Sequence, residues 1–173
     1  MSNIPLQSLE HLHEVLVERF GEGGPFIYRG VRNANYKLIA KVGRFRAYTK
    51  SLEQDILYQF KRHAFPYLEY DLQNDWELLA TAQHHGLPTR LLDWTANPLV
   101  AAFFATEGQK ETDAAIHVLN AAYIINVTKV RSPFRVKKVE IFQPTHITRR
   151  IAVQAGHFTV HPKTVNASRS KNN

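Results

Sequence analysis

Three stretches of the chain gather side chains able to do chemistry. The densest is Gln83-His84-His85-Gly86-Leu87-Pro88-Thr89-Arg90-Leu91-Leu92-Asp93-Trp94-Thr95. It sets amide, imidazole, hydroxyl, guanidinium and carboxylate groups around a Gly/Pro break, and loops held between rigid elements are where binding groups collect. His84, at a helix C-terminus, has its charged form favoured by the helix dipole and can hold an anion; it serves equally well as a cap for the terminal carbonyls. Asp93 reads as a helix N-cap or as the partner of Arg90. The second stretch is Tyr28-Arg29-Gly30. An Arg at a strand end, followed by Gly, leaves its guanidinium free in a cleft, and Gly admits close approach of a ligand or of backbone. The planar fork suits bidentate contact with phosphate; the competing reading is an ion pair with a carboxylate such as Asp93. The third is Arg149-Arg150-Ile151-Ala152-Val153-Gln154-Ala155-Gly156-His157-Phe158, where two Arg, an amide and a His surround a Gly, or simply form a polar strand edge.

The elements that must position these groups follow from apolar spacing. Ser8 caps a first helix with Leu9, Leu12, Leu16 and Phe20 on one face, ended by Gly21, Gly23, Gly24 and Pro25. Phe26 to Gly30 is a short strand running into a turn. A second helix spans Ser51 to Ala64, with Leu52, Ile56, Leu57 and Phe60 as its apolar face and Pro66 beyond its end. Trp76 to His85 is a third, broken by Gly86-Leu87-Pro88. Thr89 to Asp93 is a strand or extended turn. Asn97-Pro98 opens a fourth helix whose Ala101, Ala102 and Ala105 permit close packing. Strands are expected at Ala114–Leu119, Ala122–Val127, Val136–Phe142 and His157–His161, while Ile147–Gln154 fits either type. Helices come early and strands late, which gives an α+β fold: N-terminal helices packed on a mostly antiparallel sheet formed largely by the C-terminal third. Residues 1–162 are expected to form one domain, and 163–173 a polar, flexible tail.

Composition narrows the function classes. With no cysteine among 173 residues, disulfides, zinc-thiolate sites and cysteine nucleophiles are excluded. No apolar run approaches the roughly 18 residues of a membrane span, and no leader pattern opens the chain, so the protein reads as cytoplasmic with no membrane partner. Of nine His only His84 and His85 adjoin, and adjacent helical residues point apart, so no metal is expected. There is no phosphate-cradling glycine loop and no Gly-x-Ser-x-Gly elbow. The net charge of +7 is uneven: residues 31–66 carry eight Lys/Arg against two acids, 67–115 two against eight, and 116–173 ten against one. Two basic segments flanking an acidic one either fold into a face attractive to phosphates or scatter over a solvated surface.

Tyr28-Arg29-Gly30, then Leu38 and Arg44, then Glu77-x-Leu79-x-x-x-Gln83-His84-x-Gly86 through Thr95, Pro98 and Ala101, and finally Arg150-Ile151-x-x-Gln154-x-Gly156-x-Phe158, resemble the FRG domain family over roughly residues 24–162. The family's usual ending, an apolar-Pro-Asp-Leu-Asp-Gly type of segment, is missing, so the chain reads as a short or truncated member. The resemblance implies a bacterial or phage origin and a toxin or phage-conflict setting. A weaker resemblance is to ADP-ribosyltransferases, which place an aromatic-Arg-Gly on an early strand to hold a phosphate of NAD. Here Thr89 to Thr95 followed by Ala101-Ala102-Phe103 looks similar to their later strand and helix. Where those enzymes need a late Glu, this chain has Gln154, which cannot act as a base or stabilise a cationic transition state by charge.

Together the resemblances imply a nucleotide cleft with NAD as the expected cofactor. Arg29 would hold phosphate, with Tyr28 and Gly30 beside it. His84, Thr89 and Gln154 would orient the ligand, and Arg90 and Thr95 would contact it. Asp93 would hold Arg29 or Arg90 in place, or serve as acid/base; Glu77, Asp93 and Glu140 are the carboxylates able to replace the late Glu. The alternative is a non-catalytic nucleic-acid-binding module gripping phosphates through Arg44, Arg46, Lys61, Arg62, Lys137 and Lys138.

Overall fold

The structure, a computed structural model, describes residues 3–21, 23–45, 49–64, 66, 74–108, 112–144 and 156–162. Ser8 accepts a hydrogen bond from the His11 amide and so starts helix α1 (Leu9–Phe20), which buries Leu12 and Leu16 and stops at Gly21, whose φ of 72° suits glycine. Leu9 points to solvent instead of joining the apolar face. Strand β1 (Phe26–Val31) follows, then a loop and a 3₁₀ turn at Lys41–Arg44. Helix α2 (Lys50–Ala64) leads to helix α3 (Asp75–His84), whose N-cap Asn74 accepts from the amides of Trp76 and Glu77. Strand β2 (Leu91–Thr95) and helix α4 (Pro98–Thr106) come next, with Asn97 capping α4 through the Leu99 amide. Strands β3 (Ala115–Asn120), β4 (Glu140–Phe142) and β5 (Gly156–Val160) complete the sheet.

The sheet order is β3-β1-β2-β5-β4, and every neighbouring pair is antiparallel. The fold class read from the sequence holds. Three strands do come from the last third, yet the centre of the sheet is β1 and β2, from the helical part of the chain. Tyr28 lies opposite Thr95, so Tyr28, Thr95 and Leu91 share one face by the two-residue period of a strand. On that face Tyr28 packs with Leu12, Leu16 and Ala102 of α1 and α4. Leu91 packs with Trp76, Leu78, Leu79 and Ala82 of α3 and with Phe142, Phe158 and Val160. All four helices therefore serve one side of the sheet. The other side carries a smaller cluster of Ile27, Leu92, Trp94, Ala121 and Ile141.

Two expectations are corrected. Ala122–Val127 is not a strand: it makes a single bridge, Ile124 to Ile141, before turning. Asn126 explains this, since its side-chain oxygen takes the amide hydrogens of Thr128 and Lys129 and offers the backbone a turn in place of a ladder. The apolar face assigned to α2 is also displaced: Leu52 is exposed and the neighbouring Glu53 is buried. The segment 147–154 lies outside the described residues. Among the described residues no helix is long and apolar enough to cross a membrane.

Candidate functional site

The sheet is split at its centre. Strands β1 and β2 share the single pair Tyr28/Thr95. By contrast β1 runs beside β3 from Phe26 to Val31, and β2 beside β5 from Leu91 to Thr95. Past Tyr28 the two central strands diverge, and Arg29 faces the gap. Its Nη1 donates to the Asp93 carbonyl oxygen at 2.5 Å, taking an acceptor that a continuous sheet would give to a strand amide. The same nitrogen lies 3.8 Å from Asp93 Oδ2. Among the described residues Nη1 makes the one hydrogen bond of this guanidinium, leaving Nε and Nη2 able to take an acceptor.

Gly30 makes this geometry possible from the opposite side. A Cβ there would stand 2.7 Å from the Ala105 nitrogen and closer still to the Ala101 carbonyl oxygen. Helix α4 thus lies directly on the β1 backbone, its Ala101, Ala102 and Ala105 buried in the contact. Of the two uses read for Gly30, close backbone packing is the one the structure uses. Tyr28 also belongs to this packed side, where burial pushes its hydroxyl pKa up.

Asp93 is held by a short relay. Its Oδ1 accepts from Gln83 Nε2 at 2.6 Å, Gln83 Oε1 accepts from the Thr89 hydroxyl, and Thr89 Oγ1 accepts from the Leu91 amide at 3.1 Å. The side chain of Asp93 is nevertheless 67% exposed, against 20% for Arg29. The pair is therefore a desolvated cation beside a solvated anion, and charge is only loosely compensated. Burial draws the Arg29 pKa below its ordinary value, Asp93 opposes this, and Arg44 adds to it. Arg44 is fixed nearby by the 3₁₀ turn: Lys41 Nζ donates to Gly86 O at 3.0 Å, the Val42 amide donates to Thr89 O at 3.1 Å, and Arg44 donates to Ile39 O. Gly86 itself ends α3 at φ 90°, with the Leu87 amide returning to Ala82 O and its own to Gln83 O, a Schellman closure.

The other residues picked from the sequence fall in different places. Arg90, expected to contact ligand, is 1% exposed. Its Nε and Nη2 bind Glu53 at 3.2, 3.1 and 2.6 Å, its Nη1 reaches Pro133 O and His161 O, and it lies 4.5 Å over the Phe134 ring. A cation so enclosed pins the start of β2 and is withdrawn from solvent; the carboxylate offered to it is Glu53, and Asp93 goes to Arg29. Thr89 is buried within the relay. Thr95 is buried beneath the α4 cap, its hydroxyl accepting from the Asn97 amide. His84 is exposed in the last turn of α3, edge-on to His85 at 5.4 Å. Gln154 lies outside the described residues. Of the three carboxylates named as substitutes, Glu77 is buried in α3 and Glu140 stands on β4 near Lys138, so Asp93 is the one beside Arg29.

Sequence reasoning missed three contributors. Gln83 appears there without a role. Glu53 looks like an ordinary acid of a solvated helix face. His117 sits directly opposite Arg29 in the β1–β3 ladder; its one sequence signal is an imidazole inside the apolar run Ala115-Ile116-His117-Val118-Leu119.

A model of the FRG domain family matches residues 24–114, more than half of the chain and all of the segment from β1 to the approach to β3. No curated protein and no solved structure matches it.

Proposed function

This chain belongs to the FRG domain family, and on that premise we propose that the split between β1 and β2 is a nucleotide cleft, with a phosphate of an NAD-like ligand held by Arg29. The observation that carries this reading is the state of the Arg29 side chain. It is mostly removed from water, fixed at one nitrogen by the Asp93 carbonyl, and among the described residues uncommitted at the other two. A preorganised fork of this kind favours a planar or tetrahedral oxyanion over a point contact. At about 4 Å and an effective dielectric of about 20, unit charges attract by roughly 4 kcal/mol before desolvation is subtracted. Arg44 adds positive potential on the same side. In this reading Asp93, oriented through Gln83, is the carboxylate that acts on a bound nucleotide.

Thermal unfolding with and without NAD, ATP and GTP tests the reading, on the parent chain and on Arg29→Ala. A ligand that binds only the native state stabilises it by about 2.7 kcal/mol at a hundredfold excess over its dissociation constant. The expected result is a raised midpoint with one nucleotide that disappears in Arg29→Ala. No rise with any of them would remove the nucleotide cleft. Binding to nucleic acid that falls steeply with salt and survives Arg29→Ala would instead favour the basic module built on Arg44, Arg46 (which lies outside the described residues), Lys61, Arg62, Lys137 and Lys138.

A further inference from the structure

Among the described residues one buried side-chain polar atom has no hydrogen-bond partner, Nε2 of His117. Buried polar atoms are almost always paired, because leaving one unpaired forfeits its hydration without return. An exception in the middle of a regular strand therefore needs a reason. Its surroundings make a purely structural one poor. On the same sheet face, by the ladder register, lie the apolar Ile27, Leu119, Leu92 and Trp94.

The position of His117 supplies the reason. It stands directly across from Arg29 in the antiparallel ladder, and directly opposed residues project to one face with Cβ atoms about 4.5–5.5 Å apart. The imidazole thus lies on the same face as the Arg29 side chain, near enough for the guanidinium charge to act on it, and among the described residues Nε and Nη2 of that guanidinium have no hydrogen-bond partner. Burial, and secondarily the Arg29 charge, hold His117 below the ordinary histidine range. The ring is accordingly neutral near pH 7 and keeps one N–H to give. With the proton on Nε2 the ring offers a donor beside a cation, and the acceptor that suits both is a negatively charged oxygen that enters with the group Arg29 binds.

We propose that His117 is the second contact of the anion held by Arg29, its Nε2–H donating to a phosphate oxygen. This rests on the cleft reading above. It places a binding residue on β3, beyond the residues 24–114 that match the family, and it makes a phosphate, rather than the nucleoside, the feature the cleft recognises first.

The test is calorimetric titration with ADP, and with adenosine as the unphosphorylated control, on the parent, Arg29→Ala, His117→Leu and His117→Gln. The imidazole nitrogen resonances of His117 are followed in the parent. ADP is expected to bind and adenosine not. His117→Leu should weaken ADP about tenfold, the worth of one hydrogen bond to a charged group, while its unfolding midpoint stays at or above the parent's. His117→Gln, which keeps a donor, should recover part of the loss, and the Nε2 resonance should move as ADP is added. Equal ADP affinity in His117→Leu with an unmoved resonance would overturn the inference and leave the cleft standing, provided Arg29→Ala still abolishes binding. Failure of the parent to bind ADP would remove the cleft and the inference together. Should His117→Leu fail to fold, the Gln variant and the parent's ring resonances carry the decision.

Discussion

Arg29 and Asp93 show how one pair can be both structural and available. The contact through the Asp93 carbonyl orients the guanidinium, while the carboxylate, 3.8 Å away and largely solvated, neutralises it only in part. A tight bidentate pair would have closed the site. The buried pair Arg90–Glu53 is that closed version, and the comparison separates the two arginines. From sequence alone both carried the same expectation, because an Arg reads alike whether its partner is a carboxylate or a ligand. Glu53 lies far from Arg90 in the chain, and no local spacing reveals a pairing at that separation. His117 was illegible for the same reason: its significance comes from the residue across the ladder. Its low pKa also has a consequence for stability. His117 and His161 are both depressed by burial, with Arg29 and Arg90 respectively adding to the effect. Below about pH 6.5 the unfolded chain takes up these protons before the native one does, so stability present at neutral pH is lost as pH falls toward the native pKa values. The urea midpoint should therefore drop between about pH 7.5 and about pH 5.5, and drop less in His117→Leu. An equal drop in that variant would contradict the assignment.

Among the elements, α4 and β1 are the pair on which the proposed cleft depends. Their contact uses three alanines and one glycine, so the helix axis comes as near the strand as a backbone allows. This was readable in advance, since Ala101, Ala102 and Ala105 at helical spacing and the Gly of the aromatic-Arg-Gly tripeptide both signal close approach. The caps at Ser8 and Asn97 and the break at Gly86 were equally plain, because each is a local effect of one side chain or one φ angle. The supposed strand at Ala122–Val127 shows the limit. Its β-branched content fits a strand, and Asn126 redirects the backbone by a bond that hydrophobic patterning does not register. Gly30→Ala tests the α4–β1 contact. Its Cβ would meet backbone atoms of Ala101 and Ala105, which cannot swing aside as a side chain can. Denaturant unfolding should show a loss of about 3 kcal/mol, the upper end of overpacking costs. A loss below about 0.5 kcal/mol would mean that α4 is not seated as described.

Over the whole molecule, the helices lie on one side of the sheet and the smaller apolar cluster on the other. The chain's positive charge acts on the split from two directions, Arg29 on the strand and Arg44 on the 3₁₀ turn. Among the described residues the acid of residues 67–115 that pairs with Arg29 is Asp93, so a strongly basic chain presents a mixed site there and not a uniformly cationic one. On the proposed reading that arrangement suits a small anionic ligand with a defined seat more than a long polyanion read by charge density. The measurement that bears most directly on this is amide chemical-shift mapping during titration with NAD. If the split is the cleft, the largest shifts fall on Arg29, Gly30, Asp93 and His117, and they vanish in Arg29→Ala. Shifts concentrated at Lys61, Arg62, Lys137 and Lys138, or none at all, would contradict it.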